Sequence, residues 1–210
     1  MVQVVNANRL TLREVRNRLQ LRREFEDSFA EFLTLSPVTD ASVVRMGTIS
    51  ESLERYCDRG KVREVQVSAL TILPILWEGG YFEDPAVRVS MEENIAEVVV
   101  EEEDTVIRGQ MDVVVAQVPE RSAVPLCVVM IESKNSLFDI AEGLPQLLTY
   151  AGTFLAERKF IWGWATNGRR YQFVRIESEL YREFPLLDIL RLGEAKKLLS
   201  ILISIRKNLP

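Results

Sequence analysis

Asp112, Glu132 and Lys134 stand at the ends of two short apolar runs, and their spacing brings three ionisable groups together. Met111-Asp112-Val113-Val114-Val115-Ala116-Gln117-Val118 and Pro125-Leu126-Cys127-Val128-Val129-Met130-Ile131-Glu132 are β-branched runs bounded by turn residues, which predicts strands. The seven residues from Pro119 to Pro125 suit a hairpin loop, so the strands should lie antiparallel. Facing positions in such a pair have a constant sum, and a turn centred near Ser122 sets Asp112 opposite Glu132. Side chains alternate with period two, so Lys134 shares a face with Glu132. Two carboxylates and one ammonium at one end of an apolar sheet are suited to holding a divalent cation that activates a water.

The composition narrows the chemistry. Among 210 residues there is no histidine, which excludes Ser-His-Asp and Cys-His catalysis and imidazole-ligated metals. Hydrolysis by this chain would run on carboxylates, lysine and a hard, oxygen-liking cation. Cys57 and Cys127 have neither disulfide-framework nor zinc spacing, which suits a reducing cytoplasm. No apolar run reaches the roughly eighteen residues of a membrane span, and there is no signal-peptide pattern. A net charge of −5 argues mildly against nucleic-acid binding. The charge is uneven, however. Seven acids and no base lie between Met91 and Thr105, whereas eleven Lys and Arg face six acids from Ala151 onward.

Asp112 followed by Glu132-Ser133-Lys134 resembles the Asp…Glu-x-Lys signature of the PD-(D/E)xK nuclease superfamily, with Met111 where the name puts proline. The resemblance implies that Asp112, Glu132 and the Ser133 carbonyl hold Mg²⁺ or Mn²⁺. It implies also that Lys134 positions or deprotonates the attacking water, making Asp112, Glu132 and Lys134 the catalytic set. Glu64…Leu73-Pro74-Ile75-Leu76…Gly79-Gly80-Tyr81 resembles the opening helix of the nuclease domain in type I restriction subunits, in which Glu64 matches a further metal ligand. A glutamate favoured by the helix dipole suits that position equally. Gln146 and Tyr150, four apart on one helix face, are similar to a Gln-x-x-x-Tyr motif that lies near the active site and DNA in recombination and restriction nucleases. Thr166-Asn167-Gly168 before an aromatic strand looks like the same domain, and Asn167 and Arg169, with Arg170, would meet a phosphate backbone. A solvated hairpin tip explains the arginines as well.

The elements that must position these residues read as follows. Leu10 to Leu35 has helical apolar spacing, opened by a Thr11–Glu14 capping box. Its arginines, from Arg13 to Arg23, suit either a solvated face salted with glutamates or phosphate contact. Residues 36–50 read as a linker. Val62 to Trp77 is a helix that Pro74 should kink, ended by Gly79-Gly80. Ile95 to Glu102 is a strand, Asp104 a turn, and Gly109 lets the backbone bend near the site. A helix follows from about Gly143 to Arg158 with Pro145 in its first turn. Lys159–Ala165 and Tyr171–Ile176 form a hairpin about Asn167-Gly168. Gly193 to Lys207 is a helix apolar on more than one face, either deeply packed or a protomer interface.

This order predicts an α/β chain with a restriction-endonuclease-like α/β/α core, a central mixed sheet flanked by helices, and extra N- and C-terminal helices. It is expected to be one domain: a helical extension at 1–46, a core at 62–176 and a helical segment at 177–210. The implied function is a cytoplasmic, Mg-dependent deoxyribonuclease in restriction, defence or repair. Its partners would be DNA and a restriction or repair protein, with homo-oligomers through 193–207 and no membrane. The rival expectations are a silent nuclease-fold module that binds nucleic acid or protein, and an interaction domain that oligomerises through its last helix.

Overall fold

The computed structural model describes residues 3–100, 105–117, 126–137, 139–155 and 158–208. The hairpin loop expected at 119–125 and the turn at 104 fall outside them. The described residues contain nine strands in one mixed sheet: β1 (Gln3–Asn6), β2 (Arg22–Phe25), β3 (Val87–Val100), β4 (Thr105–Gln117), β5 (Leu126–Ser133), β6 (Ile161–Thr166), β7 (Arg170–Ile176), β8 (Leu180–Glu183) and β9 (Leu187–Asp188). The spatial order is β1-β4-β5-β6-β7-β8-β2, with β3 also on β4 and β9 beside β7. The pairs β1–β4, β5–β6 and β2–β8 are parallel, and the rest are antiparallel.

Helices cover both faces. On one side α1 (Leu12–Arg18) and α5 (Leu144–Phe154) close an apolar cluster around Met111, Val114, Leu147 and Ala165. On the other, α2 (Asp40–Cys57), α3 (Glu64–Val67), α4 (Leu73–Glu78) and α6 (Leu192–Lys207) enclose Val113, Ile131, Trp164 and Phe173. A parallel pair cannot be closed by a tight turn, and α5 is the crossover that carries the chain from β5 back to the start of β6. Its apolar stripe of Leu144, Leu147, Leu148 and Ala151 is buried, so burial of that stripe docks it on the sheet. No helix among the described residues is long and apolar enough to cross a membrane.

Several expectations are corrected. The segment from Leu10 to Leu35 is not one helix. Its Thr11–Glu14 capping box starts α1, but Gln20 adopts a left-handed φ of 51° that stops it. Arg22–Phe25 then pairs with Leu180–Glu183 as an edge strand, and Phe29 stacks on Phe184 at 4.3 Å. The N-terminal segment is therefore part of the sheet rather than a helical extension. Residues 36–50 are not a linker, since Thr39 caps α2. Its buried stripe runs Ser42, Met46, Ser50, Leu53, with two serines where leucines would have signalled a helix. Residues 177–210 contribute β8 and β9 before their helix.

The helix about Pro74 stays continuous by widening. Proline has no N–H to give, and Ser68–Ile72 forms a π-turn in which Leu73 N–H reaches Ser68. The remaining boundaries differ by a few residues, with β3 beginning earlier, at Val87, and α5 ending at Phe154. The apolar faces of α6 are spent inside the chain. Leu198, Leu199, Ile201 and Leu202 are fully buried within the chain itself, so this face of the helix is core.

Candidate active site

Strand β4 has two edges, and β3 runs along one of them. The other is shared: β1 pairs with Thr105–Arg108 and β5 with Val113–Gln117, so these ladders leave Gly109 to Asp112 uncovered between them. The register Val113↔Ile131 continues to Asp112 opposite Glu132, and a bulge between Val115 and Ala116 absorbs a slip away from the site. Alternation along β4 breaks at Asp112. Met111 and Val114 face the α5-side cluster, while Val113 and Val115 face the other. Across β4, the register sets Glu92 opposite Asp112, and Glu92 has a left-handed φ of 51°. Gln110 Nε2 donates to the Glu92 carbonyl at 2.6 Å. Non-glycine strain of this kind gathers where a strand must re-aim a side chain.

Into this notch come the acids and the lysine. Ser133 N–H and Oγ both donate to Asp112 Oδ2, at 2.6 and 2.7 Å, so the strand after Glu132 fixes one carboxylate. Glu132 is 1% exposed. Lys134 Nζ donates to Glu132 Oε1 at 2.7 Å and to Gln146 Oε1 at 2.8 Å. Gln146, in the first turn of α5, thus orients the ammonium, a link invisible in the sequence because helix-to-sheet docking is not written in the period of either element. Burial, joined by the charges of Asp112 and Glu64, raises the Glu132 carboxyl to about 8 against the pull of Lys134. Burial alone would lower the Lys134 ammonium, but Glu132, Glu64 and Asp112 outweigh it and hold the group above its ordinary value.

The remaining expected site residues are distributed unevenly. Glu64 is exposed in the first turn of α3, near enough to act on Glu132 and Lys134 through its charge. Tyr150 is buried, and its hydroxyl approaches the Gln110 backbone and the Gln146 side chain, with burial pushing the phenol up to about 12. Gly109 is what admits it, since a Cβ there would stand 1.7 Å from the Tyr150 hydroxyl oxygen. Asn167 Oδ1 accepts from Arg169 N–H and Arg170 N–H at 3.2 and 3.0 Å, capping the β6–β7 turn. Arg169 is bound to Asp188. Of the expected substrate contacts, Gln146 therefore joins the acid–lysine group directly, whereas Tyr150 and Asn167 shape the backbone around it.

With this geometry in hand, comparison with known proteins yields little. No family model matches the chain, and no curated protein matches it. Solved structures do resemble it, and one of them does so by its fold alone. It is a fragment assigned as an HsdR subunit of a type I restriction enzyme from Vibrio vulnificus YJ016, aligned at 16% identity with a TM-score of 0.41. The alignment covers 65% of this chain and 25% of that one, so this chain spans about a quarter of the neighbour's length.

The donor set itself can be tested for a cation. Glu132 Oε2 is buried and has no hydrogen-bond partner among the described residues. A buried carboxylate oxygen in that state is costly unless something positive meets it. Among the described residues no three His, Cys, Asp or Glu are gathered as metal ligands. Mg²⁺ needs no more than one or two carboxylates, the rest of its octahedron being water and substrate phosphate. Asp112 and Glu132 fit that requirement, and the hard oxygens fit the ion.

Proposed function

We propose that this chain is a metal-dependent nuclease that hydrolyses DNA phosphodiester bonds, built on a restriction-endonuclease-like fold and serving restriction, defence or repair. One observation carries the reading: the buried Glu132 carboxylate, with one oxygen unpartnered, lies against Lys134 Nζ and opposite Asp112 in the uncovered stretch of β4. Asp112 and Glu132, with the Ser133 carbonyl, would hold Mg²⁺ or Mn²⁺, and Glu64 stands nearby as a further acid. The bound ion would supply charge stabilisation at the phosphate and lower the pKa of an attacking water. Ser133 keeps Asp112 in place through two hydrogen bonds. Gln146 and Glu132 hold the Lys134 ammonium between them, so its third proton is left for the phosphate or the water. An ammonium fixed in a water-poor site stabilises developing negative charge without reorganising. DNA is the proposed partner, and a restriction or repair protein would supply what a chain of net charge −5 lacks in affinity.

The test is cleavage of supercoiled and linear DNA with Mg²⁺ or Mn²⁺. Wild type should cut, and Asp112→Ala and Lys134→Ala should each lose about 10²- to 10³-fold in rate, as when one preorganised charge-stabilising group is removed. Equal cutting by mutant and parent would overturn the assignment. No cutting by a folded parent would leave a partner-dependent role or a silent module that binds nucleic acid or protein.

A further inference from the structure

The two arginines after the Asn167-Gly168 turn look interchangeable in the sequence, and the structure separates them. Arg169 gives two bonds to the Asp188 carboxylate, at 2.9 and 2.8 Å. Asp188 is buried and also accepts Leu190 N–H at 3.0 Å. Arg169 therefore neutralises a carboxylate of its own fold. Arg170 is exposed, and among the described residues its guanidinium has no partner. Both line a cleft of about 320 Å³ with Ser136, Asp139 and Asn167. The cleft adjoins the acid–lysine group. Ser136 lies two residues past Lys134, and Lys134 N–H donates to the carbonyl of Thr166, the neighbour of Asn167, at 2.7 Å.

The turn is also rigid, which a solvated hairpin tip need not be. Gly168 has a φ of +89°, and its α-carbon is pressed so close to Leu53 and Val67 that a Cβ would meet both at 3.3 Å. Thr166 Oγ1 donates to the Arg170 carbonyl at 2.8 Å, and Arg170 N–H is held by Asn167, so the residue is pinned at both of its peptide groups. The acid in the lining, Asp139, uses Oδ1 to cap Ala141 N–H at 3.0 Å. An unpaired guanidinium carried on a fixed backbone beside a polar cleft is suited to grip a phosphate.

We propose that this cleft binds one backbone phosphate of a nucleic-acid strand next to the scissile one, with Arg170 as the contact and Arg169 as a fixed wall. The proposal rests on the nuclease reading. Such a contact sets where the strand lies over Lys134 and carries no sequence information. The experiment uses the whole chain carrying Lys134→Ala, so that bound DNA stays intact, with and without Arg170→Ala or Arg170→Lys. Binding of a fluorescent duplex is followed in Mg²⁺ over a salt series. Arg170→Ala should weaken binding about tenfold on every sequence and reduce the log–log salt slope by about 1, with the melting temperature unchanged. Arg170→Lys should keep the slope. Arg169→Ala should instead lower the melting temperature. A parent that binds DNA while Arg170→Ala matches it in affinity and slope overturns the subsite and leaves the nuclease reading standing. A parent that binds no DNA overturns the subsite, and the cleavage assay on the unmutated chain decides the nuclease reading separately.

Discussion

A buried glutamate whose carboxyl titrates near 8 makes the protein's stability depend on pH in a direction opposite to that of most carboxylates. The folded chain keeps the proton through a range in which the unfolded chain, with its ordinary value of 4.5, has lost it. Glu132 therefore costs nothing below about pH 4.5, and stability falls as pH rises from there to about 8. Thermal melts in EDTA should show this fall, and Glu132→Gln should flatten it. Parallel profiles for the two proteins would show that the carboxyl is not held as described. Mg²⁺ should oppose the fall, because it binds the ionised form. At this scale the sequence was most informative. The facing of Asp112 and Glu132 followed from strand period and turn arithmetic, which depend only on local geometry. The contact of Gln146 with Lys134 depends on how a helix is rotated against a sheet, and no local rule fixes that. Arg169 and Arg170 differ only in which one finds Asp188, nineteen residues on.

Among the elements, β4 and α5 depend on each other through a single missing side chain. Gly109→Ala would place a methyl carbon 1.7 Å from the Tyr150 oxygen and 2.5 and 2.7 Å from two ring carbons. Forcing extra volume into a packed site costs about 1–3 kcal/mol, so urea unfolding should show at least that loss. Tyr150→Phe should not rescue it, since the ring carbons remain. Recovery to wild-type stability by that double mutant would mean that α5 docks otherwise. Elements whose apolar residues follow a clean period, such as α5, β6 and β7, were legible. The helix α2 was not, because Ser42 and Ser50 replace apolar residues in its buried stripe. Ser50 earns its place by a tertiary bond, donating to the Ile189 carbonyl at 2.6 Å. The false helix through residue 35 came from phenylalanines with helical spacing whose partners are the aromatic rings of β6 and its neighbours.

On the scale of the whole molecule, both sequence flanks are sewn into the sheet or its core. Removing residues 193–210 would expose Leu198, Leu199, Ile201 and Leu202 together with the residues they cover. Circular dichroism should then report an unfolded or aggregated chain, where a mere oligomerisation helix would leave a folded monomer. Pairings between distant strands were the least legible part of the fold, because a four-residue edge strand carries almost no pattern of its own. Those pairings bear on how the chain is made. Arg23 meets Glu183 across 160 residues of sequence, and a ribosome adds about 5–20 residues per second. Strand β2 therefore leaves the ribosome roughly 10 to 30 s before its partner exists, and an edge strand without a partner is open to mispairing. Arg22 and Arg23 put positive charge on that waiting segment, and charge is what keeps an unpaired strand from finding the wrong one.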